Sequence, residues 1–236
     1  MRHLAPRQGW GHNKMFKRTH QGLRAGGALL FACMTAFAAG SAHAADRTGS
    51  IGHGAAQMPN ASYASVGDNT RAPIGWVEFC AEYKGECATR PSQPRDIVLT
   101  PKAWSDLVKV NNWVNETVKP MTDLDHWGVV ERWNYPDDGY GDCEDYVLQK
   151  RRMLMKAGWP REALLITVVR DKKGDGHAVL TVKTNRGEFI LDNEENRIVA
   201  WNKTGYRFVK RQSQSDPNTW VSLGEPRTAP AFVSAR

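Results

Sequence analysis

The chain has 236 residues, 41% hydrophobic and 24% charged, with a net charge of +7. That length suits one compact domain with flanking segments and excludes two full domains, and the apolar fraction is that of a chain able to bury a core. The charge looks like a nucleic-acid signal only until it is located: Arg2, Arg7, Lys14, Lys17, Arg18 and Arg24 lie in residues 1–44, which hold no Asp or Glu, and removing those six leaves +1 for the rest. Nucleic-acid binding thereby loses its main support.

Residues 1–44 read as a secretory signal peptide. A basic start precedes an apolar stretch over residues 25–39, and Ala42-His43-Ala44 supplies a small-residue cleavage site before Ala45. The competing reading is an uncleaved membrane anchor, but spanning a bilayer takes ~20 apolar residues and this stretch is shorter and rich in small side chains. Cleavage after Ala44 is expected, giving a periplasmic chain with no membrane span; Met15 is a second candidate start. Residues 45–72, rich in Gly, Ala, Ser and Asn without hydrophobic period, read as a flexible linker, with order expected from near Pro73.

Residues 74–80 are apolar and aromatic enough for a strand or an extended segment. Cys33 would leave with the signal, so the exported chain keeps Cys80, Cys87 and Cys143. In an oxidising compartment the closely spaced Cys80 and Cys87 could form a local disulfide. Cys143 is then the odd thiol, either a reactive group or a buried apolar cysteine.

The first clear helix starts with Thr100 as N-cap and Pro101 at its first position; Trp104, Leu107, Val108, Val114 and Val118 approximate one face, and Pro120 ends it. A polar and aromatic connection over residues 125–140 holds Trp127, Trp133 and Tyr140, candidates for lining a groove, and the turn Pro136-Asp137-Asp138-Gly139. A second helix begins at Cys143 and stops at Gly158 and Pro160. Residues 163–169, 178–183, 188–191, 206–210 and 220–223 are short β-rich runs separated by turn chemistry. Helices followed by a meandering sheet indicate an α+β fold, here with a structured domain over residues 73–223 and a loose tail over residues 224–236.

Cys143, His177 and Asp192 occur in the order of a nucleophile, a base and an orienting carboxylate. A thiol of ordinary pKa is mostly protonated at neutral pH, and both a helix N-terminus and an imidazolium favour the thiolate. His177 and Asp192 flank the turn Thr184-Asn185-Arg186-Gly187. In a four-residue hairpin loop, His177 lies opposite residue 194, two positions from Asp192 and on the same face, a diagonal distance of roughly 7–8 Å that the two side chains can bridge. A slip of one residue would separate them. Singly, each is an ordinary turn or strand-end residue.

Asp137, Asp138, Asp142, Glu144 and Asp145 crowd the start of the Cys143 helix. Helix-dipole capping at ~0.3–1 kcal/mol each explains one or two. The full set would oppose a Cys143 thiolate unless a cation neutralised it, and hard oxygen ligands suit Ca²⁺, although the spacing is not that of an EF-hand. Zinc lacks a second Cys/His pair.

Gly141-Asp142-Cys143-Glu144-Asp145-Tyr146, Gly176-His177-Ala178-Val179-Leu180 and Leu191-Asp192-Asn193 resemble the motifs of the bacterial transglutaminase-like cysteine proteinases. The resemblance implies a papain-like, transglutaminase-like α+β core with Cys143 as nucleophile, His177 as general base and acid, and Asp192 as orienting carboxylate. It further implies calcium dependence, with Asp142, Glu144 and Asp145 at the acidic positions. The resemblance also implies a protein substrate of the kind of a large surface adhesin, cut in the periplasm to release cells from biofilm, and an inner-membrane receptor for cyclic di-GMP as regulator. Two alternatives stay open: an acyltransferase using the same residues with an amine as acceptor, and a secreted binding module docking a partner through its aromatic segment.

Overall fold

The structure is a computed structural model that describes residues 57–88 and 92–224, within the compact unit His53–Arg236. The expected signal peptide, residues 45–56 of the expected linker and the expected tail beyond Gly224 lie outside the described residues.

The first strand, β1 (Val66–Thr70), pairs antiparallel with the last strand of the sheet. Residues 57–72 therefore belong to the fold, which corrects the linker reading for that stretch. The Ala61 N–H donates to Arg186 O at 2.7 Å, the Glu188 N–H donates to Ser62 O at 3.1 Å, and Ala64 is buried. Composition misled here because a segment can be held through its backbone groups without any apolar period of its own.

The expected strand at residues 74–80 is instead helix α1 (Ile74–Glu82). A short apolar run does not by itself separate buried helix from strand. Trp76 and Phe79, one turn apart, stack at 5.4 Å and are both buried. The one-turn α2 (Lys84–Cys87) is tied to α1 by the Cys80–Cys87 disulfide. Trp133 packs edge-on to Trp76 with ring centroids 6.2 Å apart and is buried as a core residue, while its edge also lines a cleft with Glu78, Phe79 and Arg132.

Helix α3 (Pro101–Thr117) starts as its sequence indicates, with the Thr100 hydroxyl accepting the Ala103 N–H at 3.1 Å. It stops at Thr117, three residues before Pro120, because Val118 is already extended. Its buried stripe includes Asn111, whose Nδ2 donates to Asn196 O at 3.0 Å, while Asn115 Nδ2 donates to Asp192 O at 2.8 Å. Helix α3 thus fastens the loop that carries Asp192.

The expected irregular connection is more structured. β2 (Lys119–Pro120) and β3 (Tyr140–Gly141) pair in parallel, and α4 (Asp123–Trp127), capped by Thr122, lies between them in sequence. Helix α5 (Cys143–Lys156) follows, and then β4 (Leu164–Arg170), β5 (Gly176–Thr184), β6 (Gly187–Leu191), β7 (Val199–Ala200), β8 (Arg207–Gln212) and β9 (Trp220–Leu223). The larger sheet runs β1-β9-β8-β4-β5-β6-β7 with every neighbouring pair antiparallel.

Period-two alternation divides this sheet into two apolar faces. Ala178, Leu180 and Val182 of β5 pack in one core with Val147 and Leu154 of α5. Val179 joins Val169 and Ile190 on the other face, beneath Trp201, Tyr206 and Phe208. Burial on both faces is why these strands read as continuous apolar runs. No helix among the described residues is long and apolar enough to cross a membrane.

Candidate active site

Cys143 opens α5 at the point where a helix offers backbone N–H groups without intrahelical partners. Its side chain is fully buried; the thiol donates to Glu144 Oε2 at 3.2 Å and meets β5 at the backbone N–H of Ala178, the residue after His177. Burial pushes this thiol well above its ordinary pKa, and the charges of Glu144 and Asp142 push it further, against which the Ala178 N–H works. Carboxylates left bare beside it would therefore hold Cys143 as an unreactive thiol.

His177 stands at the start of β5 and Asp192 just past the end of β6. The hairpin pairs Thr184 with Gly187 and Leu180 with Leu191, the register in which both side chains share a face. His177 Nε2 lies 2.9 Å from Asp192 Oδ1, with both residues buried. Asp192 Oδ1 also accepts the Glu194 N–H at 3.1 Å, and Oδ2 accepts the Tyr206 hydroxyl at 2.7 Å. Burial opposes the Asp192 charge, yet His177, Tyr206 and the Glu194 N–H outweigh it and hold the carboxyl below the usual carboxylate range. With Nε2 engaged, Nδ1 is the ring nitrogen left to exchange a proton with a thiol.

Of the five crowded acids, two are used elsewhere: Asp138 lies 2.8 Å from His126 Nε2, and Asp137 pairs with Arg152. Asp142 is the N-cap residue of α5 but makes no side-chain cap bond. Asp142, Asp145 and Asp123 each place a carboxylate oxygen within 4.8 Å of the others, and all three are buried. Asp123, at the start of α4, was missed from sequence because it lies 19 positions before Asp142, in the short stretch after Pro120 that carries no motif. Glu144 stands outside that trio and turns Oε2 to the thiol, while its side chain approaches Asp142 and Asp123 closely enough that hydrogen bonding from it works against the rise of their pKa values. Gly141 is required by close approach: a Cβ there would sit 2.6 Å from Asp145 Oδ2.

The donor set fits a hard cation. Burial raises the pKa of Asp142 to about 7, with Asp123 and Glu131 adding to it, and drives Glu144 and Asp145 well above the usual range for the same reason. Among the described residues no Lys or Arg forms an ion pair with Asp123, Asp142, Glu144 or Asp145. Asp142 Oδ1 and Asp145 Oδ2 are buried without a hydrogen-bond partner. Buried carboxylates so arranged need either protons or a metal, and an all-oxygen set suits Ca²⁺.

Residues 66–228 match the family described as bacterial transglutaminase-like cysteine proteinase. The chain belongs to this family. It is accordingly a transglutaminase-like cysteine peptidase, and its α+β fold is of that type. Among solved structures it is similar to Legionella pneumophila LapG in calcium-bound form, at 25% identity and TM-score 0.45, over 56% of this chain and 77% of that one. The EGTA-treated form of the same protein matches at 25% identity and TM-score 0.43, over 52% and 71%. Comparison with curated proteins gives no significant match.

Proposed function

We propose that the chain is an exported, calcium-dependent cysteine endopeptidase in which Cys143, His177 and Asp192 form the catalytic triad. The observation carrying this reading is the buried His177–Asp192 hydrogen bond of 2.9 Å, with the residue after His177 contacting the Cys143 thiol at the head of α5. His177 Nδ1 withdraws the thiol proton, and Sγ attacks the carbonyl carbon of the scissile amide. The developing oxyanion is met by the backbone N–H of Cys143. Nδ1–H returns the proton to the departing amine, leaving a thioester on Cys143. The same nitrogen then deprotonates a water that hydrolyses it.

Asp123, Asp142 and Asp145 would hold the cation, with Glu144 bordering it. Calcium bound there supplies positive charge that offsets the carboxylates beside the thiol. Export is supported by the composition of residues 1–44 and by the Cys80–Cys87 disulfide, a bond at home in an oxidising compartment such as the periplasm. The protein substrate implied by peptidase chemistry is read, from the family resemblance, as a large surface adhesin in biofilm control, with a cyclic di-GMP receptor in the inner membrane as regulator.

The test is digestion of a peptide library in water labelled with heavy oxygen, with calcium or EGTA, by wild type and Cys143→Ser. New C-termini carrying heavy oxygen, formed only by wild type with calcium, are expected. Incorporation of an added amine in place of water would convert the reading to acyl transfer. Cleavage undiminished in Cys143→Ser would overturn it.

A further inference from the structure

Asp192 is fixed from two sides at once. Oδ1 is taken by His177 Nε2 and the Glu194 N–H, so only Oδ2 remains to decide whether the carboxylate can rotate. Tyr206 answers that atom with its hydroxyl at 2.7 Å, a shorter contact than the 3.3 Å to Glu194 Oε2. Its ring also stands edge-on to the His177 imidazole, centroids 5.6 Å apart at 82°. One side chain therefore touches both members of the pair.

The backbone is shaped to put it there. The Thr204 hydroxyl accepts the Tyr206 N–H at 3.1 Å, and Gly205 takes φ 77°, a left-handed conformation that side chains resist. The chain thus turns from the 3-10 segment Trp201–Lys203 into β8 with Tyr206 as the residue entering the strand. On that face Tyr206 packs with Val169, Val179 and Ile190, and both members of the His177–Asp192 bond are buried. Excluding water from a charge-assisted hydrogen bond strengthens it.

We infer that Tyr206 is a positioning residue of the peptidase, locking the Asp192 carboxylate by its hydroxyl and the His177 ring by its edge. It touches neither the thiol nor the scissile bond and acts through the dyad alone; the inference rests on the triad reading given above. A phenylalanine would keep the packing and the edge contact while releasing Oδ2. Lys150 from α5 also faces Asp192, while Glu194 and Lys172 lie against Tyr206 itself; none of the three is altered by that substitution.

The experiment follows the His177 Nε2–H proton by NMR in calcium-saturated protein labelled with heavy-nitrogen histidine, alongside the rate of Cys143 alkylation by iodoacetamide at pH 7. Wild type is expected to show a low-field Nε2–H resonance that exchanges slowly with water. Tyr206→Phe should stay folded with a melting temperature lowered by no more than about 10 °C, exchange that proton rapidly, and alkylate about tenfold more slowly, the effect of losing one hydrogen bond to a charged partner. Asp192→Asn calibrates full loss. Tyr206→Phe matching wild type while Asp192→Asn loses both signals would overturn the Tyr206 assignment and leave the triad standing. Asp192→Asn matching wild type would remove the triad reading and the inference with it. Absence of the slow resonance from wild type itself would overturn the inference even if the variant failed to fold.

Discussion

Asp142 Oδ2 accepts the backbone N–H of Asp123 at 3.4 Å, so the N-cap residue of α5 turns away from its own helix toward α4. This places two acids from distant sequence positions against Asp145 and gives Asp123 a role its local sequence does not suggest. Asp123→Asn should weaken calcium binding by at least the ~10–100-fold that loss of an outer-shell partner causes, and abolish the calcium-dependent rise in melting temperature. Asp125→Asn, one turn edge away and exposed, should change neither. Calorimetric titration of both variants reads the difference.

The same acids set a pH dependence for the metal-free protein. Asp142 has its pKa raised by burial from 3.8 to about 7, so the native state holds a proton that the unfolded chain releases. A raised carboxyl contributes stability that is full below the unfolded value and is lost as pH rises through the folded one. In EGTA the melting temperature should therefore fall between about pH 4 and pH 7, with calcium flattening the slope. Asp192, held low, has the opposite sign but acts below that window. A melting temperature that climbs across the window in EGTA would contradict the arrangement of the acids.

Lys150 is fully buried, its Nζ lacks a hydrogen-bond partner, and burial lowers its pKa from 10.5 to about 7, against the pull of Asp192. The unfolded chain keeps this proton up to higher pH than the native state, so the cost of the buried ammonium is complete below pH ~7 and fades toward pH ~10. Lys150→Met, similar in length and apolar, should raise the melting temperature most at pH 6 and progressively less above neutrality. Thermal denaturation across pH checks the trend.

The helix bearing Cys143, the hairpin joining His177 to Asp192 and the α+β class were legible because each rests on short-range chemistry: a cap, a turn, a two-residue period. β1 was not, since its residues are all exposed and it is held through the backbone by β9, 150 or more positions away. Asp123 and Tyr206 escaped for a related reason. One falls in a stretch without a motif and the other opens a β-rich run, and only the tertiary fold brings them to Asp142 and Asp192. Helix α1 was misread because Trp76 and Phe79 satisfy a short apolar run whether it coils or extends.

The most direct test is the rate of Cys143 alkylation by iodoacetamide at about pH 6.5, below the ordinary thiol range, in purified protein with calcium or EGTA, for wild type, His177→Ala and Cys143→Ser. Fast labelling of wild type with calcium, at least about tenfold slower with EGTA or in His177→Ala, and absent in Cys143→Ser, is the predicted result. Labelling of Cys143 that is slow and indifferent to both calcium and His177 would contradict it.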